Sequence, residues 1–164
     1  MKQLLKTFSF SALLTILFSI SCIESEPITP PDTFDAKKQA QIDDSLIVEY
    51  LQKNEIEANK DTSGIYYIIT NEGDGNKPNL NSTIKVNYKA YLTNGLVFDE
   101  TPDQARTFAL NTLILGWKIG IPFISRGGEA ILFIPSGLAY GNNAIGSIPI
   151  NSILIFEIEL VDFY

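Results

Sequence analysis

Ser82-Thr83-Ile84-Lys85-Val86-Asn87-Tyr88-Lys89-Ala90-Tyr91-Leu92-Thr93-Asn94-Gly95-Leu96-Val97-Phe98 alternates polar and apolar residues through Ile84, Val86, Tyr88, Ala90 and Leu92. That period of two is the mark of a strand buried on one face. Asn94-Gly95 then supplies a tight turn, and Leu96, Val97 and Phe98 begin a returning strand. Working outward, residues 65–70, 130–134 and 152–163 are further β-rich runs, the last with Ile153, Ile155 and Ile158 among polar neighbours. Residues 113–124 contain Trp117 and read as one short helix, weakened by Gly120 and Pro122. The expected class is α+β, a mostly antiparallel sheet with one short helix.

Upstream of the sheet, Ile42, Leu46, Ile47, Tyr50 and Leu51 fall at helical spacing between charged residues, so residues 35–54 predict an amphipathic helix. The expected division is a helical extension over 35–58 and a folded domain over 59–164. The apolar stripe of the helix must dock either on that domain or on a second copy of the chain, the latter a homodimer through residues 35–54. Residues 22–34, with Pro27, Pro30 and Pro31 among Ser and Glu, cannot bury a core and read as an extended tether.

Lys2 and Lys6 precede an apolar run over residues 7–20, short for a membrane span and followed by Ser21 and Cys22. Residues 1–21 therefore read as a secretory signal peptide. A cysteine directly after such a run resembles the bacterial lipobox, which implies a lipoprotein whose mature chain begins at an acylated Cys22. The lipobox prefers leucine three places before the cysteine, where this chain has Ser19. The implied location is the bacterial cell envelope, with the chain held to a membrane by diacylglycerol and a further acyl group such as palmitate.

Composition narrows the chemistry further. The 164 residues carry a formal net charge of −7, which disfavours nucleic-acid partners because phosphate neutralisation needs a basic face. The chain has no histidine and one cysteine. Ser-His-Asp and Cys-His nucleophilic catalysis, His- or Cys-ligated zinc and an internal disulfide are excluded on that ground. No metal and no cofactor is expected.

Four segments in order carry a resemblance to a known family: Val86-Asn87-Tyr88 through Gly95 to Phe98-Asp99; Leu113-Ile114-Leu115-Gly116-Trp117; Ile134-Pro135 with Ala139-Tyr140-Gly141; and Ile148-Pro149-Ile150-Asn151-Ser152 leading to Phe156-Glu157-Ile158-Glu159-Leu160. Residues 73–164 resemble an FKBP-type peptidyl-prolyl cis-trans isomerase (EC 5.2.1.8). The resemblance implies a half-wrapped antiparallel sheet curled around the short helix, with an apolar pocket between them. It implies that Tyr88, Phe98, Asp99, Ile114, Trp117, Tyr140 and Phe156 serve catalysis, with Leu113 and Ile148 binding substrate. The helical extension and lipid anchor are similar to envelope lipoproteins of the family of the Bacteroidetes kind, some of them associated with gliding. Two departures stand out: Arg106 occupies a place where the family usually has an aromatic, with only Phe108 retained after it, and Ser147 precedes Ile148.

The reaction such a pocket would serve needs neither a proton donor nor a nucleophile. Rotating a peptide bond costs about 18–20 kcal/mol because the twisted amide loses its resonance, and Xaa-Pro bonds isomerise in tens to hundreds of seconds. Water favours the planar, charge-separated amide, so an apolar enclosure raises the ground state relative to the twisted one. The expected clients are proline-containing segments of exported or envelope proteins. The alternative is a non-catalytic chaperone or binding subunit of an envelope assembly built on the same fold.

Overall fold

The computed structural model describes residues 35–164; the expected signal peptide over 1–21, Cys22 and the expected tether over 22–34 lie outside them. Strand β3 (Thr83–Leu92) buries Ile84, Val86, Tyr88, Ala90 and Leu92 on one face, as its alternation predicts. Along one side it pairs antiparallel with β7 (Leu154–Phe163). Along the other side its C-terminal half meets β4 (Val97–Glu100) and its N-terminal half meets β5 (Arg106–Ala109). Beyond β7 lie β6 (Glu129–Ile134), β2 (Tyr66–Asn71) and the two-residue β1 (Asn59–Lys60). All of these pairings are antiparallel, and the sheet has seven strands. The fold is α+β: an antiparallel sheet around a short helix, with a further helix at the N-terminal end, the architecture that the family resemblance implies.

The inner face of the sheet and helix α2 (Leu115–Gly120) enclose the main core. Ile84, Val86, Leu132, Ile134, Leu154 and Leu160 are fully buried there, with Ile121 and Ile124 from the end of the helix. Gly116 and Gly120 let the α2 backbone lie directly on β6. A Cβ on Gly120 would stand 2.5 Å from Leu132 Cδ1, and one on Gly116 would collide with the Ile134 side chain. The expectation of a helix weakened at Gly120 and Pro122 has a structural counterpart: α2 stops at Gly120 and a 3-10 turn, Ile121–Phe123, carries Pro122. β5 has no signature in the sequence pattern. Its four residues, Arg-Thr-Phe-Ala, are too few to display a period, and pairing with β3 is what makes them a strand.

Helix α1 (Ala36–Lys53) starts at Asp35, whose side chain accepts hydrogen bonds from the N–H groups of Lys37 and Lys38 at 3.0 Å. It covers part of the outer face. Ile47 and Leu51 pack with Tyr66, Phe133, Ile153 and Ile155 in a second core, each such fully buried aliphatic contributing about 1.5–3 kcal/mol. Residues 35–164 lie within one compact unit. The apolar stripe is divided: Ile47 and Leu51 are used within the chain, whereas Ile42 and Leu46 remain 43% and 45% exposed. Asp43, on the same helix, is completely buried.

Candidate active site

The site is assembled where β3, β4, β5, β7 and α2 meet, and a register irregularity shapes it. Across β3 and β4, Ala90 faces Asp99 and Tyr91 faces Val97, which leaves Phe98 as an extra residue in the returning strand. In a regular strand Phe98 and Asp99 would point to opposite faces. The bulge turns both toward the same cleft, which both of them line.

Trp117 forms the floor. It is 4% exposed and stands edge-on to three rings: Tyr88 at 5.3 Å, Phe156 at 5.4 Å and Phe108 at 6.1 Å between centroids. Phe98 meets Phe156 edge-on at 5.9 Å. Such T-shaped pairs are each worth about 0.5–1.5 kcal/mol beyond their buried area, so the walls hold one another in place. Leu113, Ile114 and Tyr140 complete the lining of a cleft of about 150 Å³. A cavity of that size lined by apolar side chains takes up a benzene-sized group, and the pyrrolidine ring of proline is smaller.

Polar groups sit on one rim. The Tyr88 hydroxyl donates to Asp99 Oδ2 at 2.5 Å, and Arg106 Nη1 donates to the Tyr88 oxygen at 2.7 Å and to Asp99 Oδ1 at 3.0 Å. Thr101 fastens the Tyr88 backbone from β4's far end, its Oγ1 accepting from Tyr88 N at 2.9 Å. Burial, with the Asp99 carboxylate second, pushes the Tyr88 phenol up to about 12. Tyr88 is thus a neutral hydrogen-bond donor at any physiological pH. Ile114, also in the lining, is the N-cap residue of α2, and its N–H donates to no backbone carbonyl among the described residues. An amide carbonyl entering the cleft would find that donor unengaged.

Of the residues singled out from sequence, Tyr88, Phe98, Asp99, Leu113, Ile114, Trp117, Tyr140 and Phe156 line this one cleft. Ile148 does not: it is 5% exposed and packed in the main core, because the short loop after Tyr140 turns back through a bridge between Ile145 and Ile148. Cys22 lies outside the described residues. Sequence reasoning passes over two residues of the site. Phe108 reaches the cleft because β5 pairs with β3, and Arg106, in sequence only a departure from the family pattern, braces Tyr88 and Asp99 from the same strand. A larger groove of about 540 Å³ crosses the outer face of the sheet, but charged and polar residues such as Asn87, Lys89, Glu129, Glu157 and Glu159 line much of it.

The comparisons with known proteins agree with this geometry. Residues 74–161 match the family model described as FKBP-type peptidyl-prolyl cis-trans isomerase. The FKBP-type peptidyl-prolyl cis-trans isomerase FkpA of Buchnera aphidicola subsp. Schizaphis graminum is 45% identical over 106 residues, covering 63% of this chain and 42% of that protein. The crystal structure of FkpA from Escherichia coli superposes with a TM-score of 0.68 at 35% identity, covering 77% of this chain and 62% of that one. A peptidyl-prolyl cis-trans isomerase from Pseudomonas syringae pv. tomato gives 0.67 at 27% identity, over 80% of this chain and 98% of that one. The chain spans about half the length of the curated relatives it matches. With a family model covering more than half of its residues and a cleft built from the residues that carry the resemblance, this chain belongs to the FKBP-type peptidyl-prolyl cis-trans isomerases.

Proposed function

We propose that the protein isomerises Xaa-Pro bonds in exported or envelope polypeptides by desolvating and twisting the amide inside the Trp117 cleft. The observation that carries this reading is the enclosure itself: four aromatic rings around Trp117 and Phe156, with hydrogen-bond donors confined to the rim. The proline ring enters over Trp117 and the amide carbonyl leaves water. Its planar, charge-separated form loses solvation that the twisted form needs less, and a thousandfold acceleration asks for only about 4 kcal/mol of that difference. Ile114 N–H and the Tyr140 hydroxyl hold the flanking carbonyls, while Phe98 and Phe156 grip the ring. Asp99, held by Tyr88 and Arg106, keeps a fixed negative field beside the carbon end of the twisting amide. No proton changes hands.

The finer placement extends the same proposal. The apolar leader ending at Cys22 supports signal-peptide cleavage over residues 1–21 and acylation of Cys22, with residues 22–34 as a tether and the folded part held at a membrane of the cell envelope. Among the described residues no helix is long and apolar enough to cross a membrane. The similarity to Bacteroidetes-type envelope lipoproteins belongs to this proposal too. The deciding experiment follows cis-trans relaxation of a short Xaa-Pro peptide with purified protein. A rate no faster than that of the free peptide refutes catalysis and leaves a binding role.

A further inference from the structure

Asp43 lies in the middle of α1, on the outer side of the sheet, and is 0% exposed. A carboxylate removed from water is costly unless its lone pairs are met by donors. Here they are met from two directions. Oδ2 accepts from the backbone N–H of Ser136 at 2.8 Å and from its hydroxyl at 2.7 Å, while Oδ1 accepts from Gln39 Nε2 at 2.7 Å. Ser136 is itself fully buried and opens the 3-10 turn Ser136–Leu138. From Ser136 the bonding continues: its carbonyl accepts from Gly141 N at 2.8 Å, and the Gly141 carbonyl accepts from Asn151 N at 2.7 Å. Tyr140 is the residue inside this bracket, and it lines the cleft.

We propose that Asp43 is a positioning residue for the reaction, by which the N-terminal helix fixes the segment that presents Tyr140 to the substrate. This rests on the isomerase reading above. Three facts separate it from plain helix docking. The helix already has Ile47 and Leu51 for packing. The buried carboxylate is spent on the first residue of the Tyr140 turn rather than on the sheet. At the start of the segment Pro135 has no N–H to offer and Gly137 no side chain to pack, so Ser136 between them is where a side chain from another element takes hold of the turn.

The test uses the full chain and three variants. Asp43→Ala strips Ser136 of its acceptor and should lower kcat/KM about five- to twentyfold. Asp43→Asn should recover most of that loss, because its Oδ1 can serve Ser136 while Gln39 flips its amide to face the new NH2. Leu51→Ala, which loosens α1 without touching Ser136, should lower the unfolding midpoint yet keep kcat/KM within about twofold. In a Tyr140→Phe background Asp43→Ala should cost less than about threefold, the non-additivity expected of residues acting through one group. Amide exchange supplies an arm independent of catalysis: Asp43→Ala should deprotect Ala139 and Gly141 while β3 and β7 keep their protection. Full additivity with Tyr140→Phe, or unchanged exchange at residues 139–141, overturns the proposal. If Asp43→Ala does not fold, Asp43→Asn with no rescue relative to Leu51→Ala overturns it equally. A wild-type protein without isomerase activity would refute the functional reading instead, and the exchange arm would still decide whether Asp43 holds the turn.

Discussion

Replacing Phe98 with aspartate, beside its replacement with leucine, separates exclusion of water from the shape of the ring as the source of the rate. Phe98 is the bulge residue of β4 and contributes one wall of the cleft, edge-on to Phe156 at 5.9 Å. Losing that ring pair costs about 0.5–1.5 kcal/mol of stability, and because Phe98 is only half-buried, the rest of the core is undisturbed. The unfolding transition should therefore stay cooperative and move down by several degrees. The effect on rate is of another size. A carboxylate brings its water shell to the substrate amide, restoring the solvation whose removal supplies about 4 kcal/mol in a thousandfold catalyst. Losing two thirds of that lowers kcat/KM about a hundredfold. Phe98→Leu removes the ring but keeps the wall apolar, so it should lose less than about tenfold. The assay is relaxation of an Xaa-Pro peptide followed by NMR exchange or by a coupled protease, beside a thermal melt of each variant. If the leucine variant is as inactive as the aspartate variant, ring shape rather than exclusion of water carries the rate, and the desolvation argument fails.

Tyr140→Phe should lower kcat/KM about two- to twelvefold, one net hydrogen bond of about 0.5–1.5 kcal/mol, as read from steady-state kinetics. The wild-type rate should be flat between about pH 6 and 9, since Tyr88 is neutral throughout; a bell-shaped profile would refute a mechanism without proton transfer. Tyr88, Tyr66 and Tyr91 are all raised above the ordinary 10.0, so their neutral forms stabilise the folded state fully below pH 10, and that contribution is lost as pH rises further; melts should show the unfolding midpoint falling above pH 10, less so in Tyr88→Phe. Gly120→Ala should destabilise by about 1–3 kcal/mol in a denaturant titration, because the new methyl meets Leu132 at 2.5 Å. Cys22→Ser should leave the protein unacylated and free in a detergent phase partition, and an unmodified wild-type N-terminus at another residue by mass spectrometry would refute the anchor.

Much of the architecture is legible along the chain because its causes are local. Period-two burial in β3 and the turn at Asn94-Gly95 need only neighbouring residues, and so does the start of α1 at Asp35. The absence of histidine likewise removes whole classes of chemistry by composition alone. The convergence of Tyr88, Phe98, Asp99, Trp117, Tyr140 and Phe156 on one cleft is legible only through the family resemblance, since they span nearly seventy positions and nothing in their spacing brings them together. Three matters belong to tertiary structure alone. The bulge that aims both Phe98 and Asp99 inward depends on the register against β3, which a single strand does not encode. Arg106 and Phe108 enter the site through β5, a strand too short to have a period and stabilised only by its partner. Asp43 reads in the sequence as one more charge on an exposed helical face; that it is buried against Ser136, on the turn that carries Tyr140, follows from how α1 lies across the sheet. Periodicity reports which face of an element is apolar, whereas the partner of that face, and any polar group enclosed with it, is chosen by the packing of the whole chain.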